Sequence, residues 1–261
     1  MINLIDALEF RARSQPDVIA VQDVDSALNY AQLYALVKRI AKKLSLVGVK
    51  PGQLVFTYLP VKVDWIFTLA LFHEACITCS HRGDTPIDET LGVDWVISIK
   101  PIPGFPPDRT LLIDDDWLAQ AQKQTPDKKY VVYENQDSVC RLIMTSGTTG
   151  QAKAVAYTIG IMMRRLDSLH GIWPSGENEI CMMSLQTTVG FLSAFCAVLY
   201  GQTYYCIGTT KDVCQLLAKF RVTDLYGSPM QLAGLLSHCQ SNDIKLPCLK
   251  VNGLLQPMIT R

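Results

Sequence analysis

Apolar and polar positions along the chain follow two alternating rhythms, one with the period of a strand and one with that of a helix. Asn29-Tyr-Ala-Gln32 has the form of a capping box, in which Asn29 caps the first turn and Gln32 reaches back. Apolar residues then recur at Leu33, Leu36, Val37, Ile40, Leu44 and Val47, one face of a helix. Gly48 is the expected left-handed stop, and Pro51-Gly52 turns the chain. Leu54 to Leu59 is a continuous apolar run of strand length, suited to burial on both faces. A helix over about Val63 to Ala75 and a short strand at Cys76 to Ser80 follow. From His81 to Asp108 the chain is rich in Pro, Gly and Asp and reads as loop, apart from a strand at Trp95 to Ile99.

After Lys128 the alternation resumes. Strands are expected at Val139 to Met144, Ala154 to Tyr157, Ile180 to Met183, Thr203 to Ile207 and Asp224 to Tyr226. Helices are expected at Ile159 to His170, Val189 to Tyr200, Lys211 to Phe220 and Met230 to His238. That order predicts an α/β fold with layered, mostly parallel sheets flanked by helices.

Composition narrows the partners. Of 261 residues, 49% are hydrophobic and 18% charged, enough apolar material for a large core. Lys plus Arg and Asp plus Glu are balanced at 24 each, so there is no basic footprint for nucleic acid. Asp6 and Glu9 interrupt any secretory core near the N-terminus. The longest apolar runs, Trp65 to Phe72 and Val189 to Tyr200, fall short of the roughly 20 residues of a membrane span. Nine cysteines without framework spacing fit reduced thiols, and the expected location is cytoplasmic.

One segment carries candidate chemistry. Between two predicted strands lies Thr145-Ser-Gly-Thr-Thr-Gly-Gln-Ala-Lys153. Its two glycines let backbone approach a ligand closely, and successive N–H groups can form an anion-binding nest. Three threonines and a serine add hydroxyl donors, and Lys153 adds a point charge. This is chemistry for polyphosphate, although a Ser/Thr/Gly-rich surface turn has the same composition. The order G-x-x-x-x-G-K-[ST] is absent, and no helix directly follows.

The order of these residues closely resembles the phosphate loop of the adenylate-forming superfamily: acyl-CoA synthetases, luciferases and peptide-synthetase adenylation domains. The match runs from Thr145 to Gly150 and includes Lys153; Ala152 and Ala154 stand where the family usually has Pro and Gly. Leu28-Asn-Tyr-Ala-Gln-Leu33 through Gly48-Val-Lys-Pro-Gly52 is similar to the family's opening segment. Leu59-Pro60 and the block to Ser80 track its next segment, with Ala75 for the usual Gly. Ser184-Leu-Gln-Thr-Thr-Val-Gly190 resembles its acyl-pocket stretch, and Val222-Thr-Asp-Leu-Tyr-Gly-Ser-Pro229 a later strand and turn.

The resemblance implies an N-terminal portion of that fold in two subdomains, residues 1–135 and 136–261, without the C-terminal domain. It implies ATP and Mg²⁺ as cofactors, a small carboxylic acid as substrate, and CoA or phosphopantetheine as acceptor thiol. Thr145, Ser146, Gly147, Thr148, Thr149 and Gly150 would hold the β- and γ-phosphates, and Lys153 would neutralise charge on departing pyrophosphate. A hydroxyl of Thr148 or Thr149 would help to place Mg²⁺. Gln186, Thr187 and Gly190 are the acyl-pocket candidates; Thr187 or Thr188 can equally serve as the cap of the following helix.

The family's adenine, ribose and C-terminal catalytic signatures are not among these residues. The expectation is therefore that the isolated chain gives no carboxylate-dependent ATP–pyrophosphate exchange, and that it self-associates or meets a complementing polypeptide or carrier protein. A non-enzymatic nucleotide-binding, acyl-binding or protein-interaction module is the other reading.

Further clusters have ordinary readings. His73, Cys76, Cys79 and His81 have metal-like spacing, yet a strand would point Cys76 and Cys79 to opposite faces. Asp114-Asp-Asp116 reads as a cap and acidic first turn for a helix at Trp117. Lys38, Arg39, Lys42 and Lys43 fall on the expected solvent side of the first amphipathic helix. His170 and His238 fall at helix ends.

Overall fold

The structure is a computed structural model that describes residues 4–81, 87–126, 129–145, 153–170, 179–220, 222 and 224–244. The chain opens with α1 (Leu4–Ser14), then a hairpin of β1 (Ile19–Gln22) and β2 (Ala27–Asn29). The predicted capping box forms: Asn29 accepts from the Gln32 backbone at 2.8 Å, and Gln32 accepts from the Asn29 backbone at 3.0 Å. Helix α2 (Tyr30–Leu46) follows, with Val47 as its C-terminal cap and Gly48 at φ +102° beyond it.

Strand β3 (Leu54–Tyr58) is buried along its whole length, as its unbroken apolar run predicts. Helix α3 (Val61–His73) is buried from Asp64 to His73 on every side, the state of a helix that is apolar all round. Then come β4 (Ile77–Ser80), β5 (Trp95–Ser98), β6 (Thr110–Leu112) and α4 (Asp115–Gln122). Asp114 caps α4 by accepting from the Trp117 backbone at 2.7 Å. The second half supplies β7 (Val139–Thr145), β8 (Lys153–Thr158), α5 (Ile159–His170), β9 (Glu179–Cys181) and α6 (Thr188–Tyr200). It ends in β10 (Tyr204–Tyr205), α7 (Thr210–Lys219), β11 (Asp224–Tyr226) and α8 (Pro229–Ser241).

Six strands form one sheet in the order β6-β5-β3-β4-β7-β8. All neighbours run parallel except the β7–β8 hairpin at one edge. Strands from both sides of residue 135 thus share this sheet. Two smaller sheets, β10-β1-β2 and β11-β9, carry parallel pairs between β1 and β10 and between β9 and β11. The largest core lies between the main sheet and helices α1, α2, α3 and α6. A second core lies under α7 and α8, and a third on the other face of β3, β4 and β5.

Two expectations about side chains meet different outcomes. Cys76 belongs to the largest core and Cys79 to the third, on opposite faces as strand alternation requires. His73 Nδ1 lies 3.0 Å from Glu74 Oε1, and His81 lies against Phe56 and Tyr58. The solvent-side reading of Lys43 is corrected. Its residue is 7% exposed, and Nζ donates to the Trp117 carbonyl at 2.9 Å and to Gln120 Oε1 at 3.0 Å. It also sits 4.3 Å from the Trp117 ring centroid. Helix α4, which covers that side of α2, supplies the acceptors that make a buried ammonium tolerable.

Candidate functional site

The β7–β8 hairpin brings together the two ends of the Ser/Thr/Gly-rich segment. Thr145 is the last residue of β7 and Lys153 the first of β8, and they are paired in the antiparallel ladder. Thr145 Oγ1 donates to the Lys153 carbonyl at 3.1 Å, and both residues are exposed. The other phosphate-loop candidates, Ser146, Gly147, Thr148, Thr149 and Gly150, lie outside the described residues.

The second candidate region is a tight turn before α6. The Thr187 backbone donates to the Ser184 carbonyl at 2.9 Å, and Thr187 Oγ1 donates to the same oxygen at 2.8 Å. Thr187 Oγ1 also accepts from the Gly190 backbone at 3.1 Å, so Thr187 caps α6. The Gln186 backbone donates to Ser184 Oγ at 3.2 Å, and the residue is half-buried. Gly190 has a steric reason to be glycine: a Cβ there would stand 2.2 Å from the Ser184 carbonyl and 2.4 Å from that of Met183.

Two ties hold this turn beside the hairpin. From β7, Arg141 donates through Nη2 to the Leu185 carbonyl at 2.7 Å. From β8, the Tyr157 hydroxyl lies 2.9 Å from Thr188 Oγ1. The strand pair that frames the Ser/Thr/Gly-rich segment and the turn that carries the acyl-pocket candidates are therefore one assembly.

Arg141 is its anchor. The residue is fully buried, and it also donates to Thr78 Oγ1 at 3.1 Å and Ser80 Oγ at 2.8 Å on β4. Its guanidinium carbon lies 4.6 Å from the Phe191 ring centroid in α6. Asp64, from α3, shares this interior and accepts from Thr57 Oγ1 at 2.6 Å. Burial pushes the Asp64 carboxyl up, opposed by the Arg141 charge and by hydrogen bonds from Thr57 and Ser80. Burial likewise pulls Arg141 down, opposed by nearby acidic groups that include Asp64. The hydroxyls of Thr57, Thr78 and Ser80 supply hydrogen bonds to these two side chains away from water, while Arg141 Nε is buried without a partner.

Motif reasoning passes over Arg141 and Asp64. The signal in the sequence is one charge inside each apolar run: Arg141 within Val139–Met144 and Asp64 within Val63–Phe72. Charge at a position that the pattern buries demands a partner, and here each run answers the other.

The matching family model is described as "AMP-binding enzyme", and it covers residues 8–78 and 74–252. The chain belongs to the AMP-binding enzyme family. A curated relative, the delta-poly-L-ornithine synthetase of Acinetobacter baumannii (strain AB307-0294), is 25% identical over 254 residues. That alignment takes in 88% of this chain and 18% of the relative, so the chain spans under a fifth of that protein's length. The inhibitor-bound N-terminal domain of FACL13 from Mycobacterium tuberculosis superposes with a TM-score of 0.81 at 19% identity. It covers 95% of this chain, which covers 68% of it. The o-succinylbenzoate coenzyme A synthetase (MenE) of Bacillus subtilis, in complex with ATP and magnesium ion, gives a TM-score of 0.72 at 21% identity. The coverage is 88% of this chain and 65% of that one. At these identities the solved structures establish the fold, an α/β N-terminal domain of the adenylate-forming type. No helix among the described residues is long and apolar enough to cross a membrane.

Proposed function

We propose that this chain is the ATP-gripping part of an acid–thiol ligase, a protein that activates a carboxylic acid as its adenylate and passes the acyl group to CoA or a carrier-protein phosphopantetheine. The observation that carries this reading is the joined hairpin and turn, tied through Arg141 to Leu185 and through Tyr157 to Thr188. A loop for ATP phosphates and a pocket for an acid must lie side by side if the carboxylate is to meet the α-phosphorus.

The donor set fits a polyphosphate. Residues 145–153 contain hydroxyls, two glycines and an ammonium, and no carboxylate to repel phosphate. Thr145 and Lys153 are exposed at the hairpin mouth, where a ligand can reach them. In this reading Thr145, Ser146, Gly147, Thr148, Thr149 and Gly150 hold the β- and γ-phosphates. A hydroxyl of Thr148 or Thr149 is a hard oxygen donor of the kind Mg²⁺ takes. Lys153 stabilises charge as pyrophosphate leaves, a task for a fixed cation that moves no proton. ATP, when bound, supplies the activated phosphorus and the leaving group.

Gln186 and Gly190 line the acid side, with Thr187 fixing the turn by capping α6. Gln186 would give that side a polar amide, which suits a partly polar acid. A cytoplasmic location and a complementing polypeptide, a carrier protein or a second copy of this chain belong to the same reading.

Protection of Lys153 tests it. MgATP and Mg-pyrophosphate should each slow acylation of Lys153 by an amine-reactive ester, read by peptide mapping, while AMP should not. Equal labelling with and without saturating MgATP contradicts the proposal and favours a protein that no longer uses nucleotide.

A further inference from the structure

The second core ends in two thiols that face each other. Cys214 lies in the middle of α7 and Cys239 near the end of α8, and their sulfur atoms are 3.8 Å apart. Each residue is 6% exposed, and both are reduced. Val213, Leu216 and Leu235 pack in the same core. The two helices are also held at their starts by full capping boxes, Thr209 with Asp212 and Ser228 with Gln231. The last turn of α8, which carries Cys239, is closed by the Asn242 and Ile244 backbones, which donate to the Cys239 carbonyl at 3.3 and 2.9 Å.

A disulfide requires a sulfur separation of about 2.0 Å, so closure asks for an approach of somewhat under about 2 Å. Rotation of two side chains about their χ1 bonds, with a small helix adjustment, covers such a distance. We propose that Cys214 and Cys239 form an oxidisable dithiol that closes to an intramolecular disulfide and clamps α7 to α8.

A peroxide is the fitting oxidant, because the pair is buried and a small molecule reaches it most easily. The thiolate of one cysteine attacks a peroxide oxygen, the O–O bond breaks, and water leaves with a sulfenic acid formed. The sulfur of the second cysteine then attacks the sulfenic sulfur, the S–O bond breaks, and a second water leaves. The dithiol gives up two electrons and two protons, and the peroxide is reduced to two waters. Burial, reinforced by the hydrogen bond that the neutral Cys214 thiol donates to Cys239, pushes the Cys214 thiol up to about 11, which keeps the thiolate scarce near neutrality. The pair thus answers sustained oxidant slowly and is not a fast sensor.

The clamp has a line to the candidate site. Gln231, at the start of α8, donates through Nε2 to the Met182 carbonyl at 2.7 Å, two residues before Ser184. Pinning α8 to α7 therefore also steadies the strand that leads into the acyl-pocket turn.

The test treats the folded 261-residue protein with hydrogen peroxide, alkylates remaining thiols, and maps peptides by mass. The expected result is a Cys214–Cys239 linked peptide lighter by two hydrogens than its reduced components, together with a rise of several degrees in the unfolding midpoint that a reductant reverses. Cys214→Ser and Cys239→Ser should each abolish the link and the rise. Recovery of both cysteines as alkylated thiols, links to other cysteines instead, or a link that forms only in denaturant would overturn the proposal. The peptide map of the wild type decides the matter even where a serine variant fails to fold.

Discussion

Arg141 stands where a strand of the main sheet meets the turn before α6, and its hydrogen bonds reach β4 and Leu185 at once. Replacing it with Met leaves Asp64 without its neighbouring cation and three oxygen atoms without a donor. Arg141→Met should cost about 3–5 kcal/mol in urea unfolding, the usual result of breaking a buried charge pair from one side. Adding Asp64→Asn should recover part of that loss. A single-mutant cost below about 1 kcal/mol would show that the network is not the anchor described. Gly190 is held by shape alone. Gly190→Ala must push the carbonyls of Ser184 and Met183 aside, so a loss of about 1–3 kcal/mol is expected. Denaturation equal to wild type would mean that the turn yields freely.

Glu179 gives the residue scale a pH signature. Burial first, and Asp224 on the neighbouring strand second, push its carboxyl up to about 8 from 4.5. One of its oxygens, Oε2, is buried without a hydrogen-bond partner. In the unfolded chain the group ionises near 4.5, while in the folded chain it holds its proton to about 8. Between those values the unfolded state binds fewer protons, so stability falls as pH rises through that window and levels off above it. Glu179→Gln keeps the neutral shape and should remove the decline, leaving the variant more stable than wild type at pH 8.5 by a margin on the order of a few kcal/mol. Parallel stability curves for the two proteins from pH 5 to 8.5 would contradict this account.

At the scale of elements, local signals decide most boundaries. The Asn29–Gln32 capping box forms as the sequence predicts, and α5 spans Ile159–His170 as its apolar period requires. The Leu54–Tyr58 run is buried throughout because a parallel strand in mid-sheet has two covered faces. Three pieces were not legible. Helix α1 hides its period behind charges and a short length, and its buried residues are Leu4, Ile5, Ala7 and Leu8. The hairpin of β1 and β2 has strands of four and three residues, too short for a period to show. Strand β6, three residues long, exists only because β5 offers it an edge. Lys43 differs for a similar reason: helix periodicity places a residue on a face, but it does not say that α4 will cover that face.

Across the whole molecule, the legible parts are those that the chain settles locally, and the missed parts are those that distant segments settle together. The motif between β7 and β8 and the turn before α6 both stand out in the sequence. Their apposition does not, because it rests on Arg141 meeting Leu185 across 44 residues and on Tyr157 meeting Thr188 across 31. Arg141 and Asp64 are visible only as lone charges in apolar runs, and their partnership requires the packing of α3 against the sheet. The chain belongs to the AMP-binding enzyme family, and the account stands or falls on whether its hairpin grips nucleotide. The direct measurement is calorimetric titration of MgATP into the folded 261-residue protein and into Lys153→Ala, with thermal unfolding as a check on both. Saturable binding by wild type, weakened about tenfold or more in the variant at unchanged unfolding midpoint, is the predicted result. Absence of binding by wild type, or equal affinity in Lys153→Ala, would contradict it.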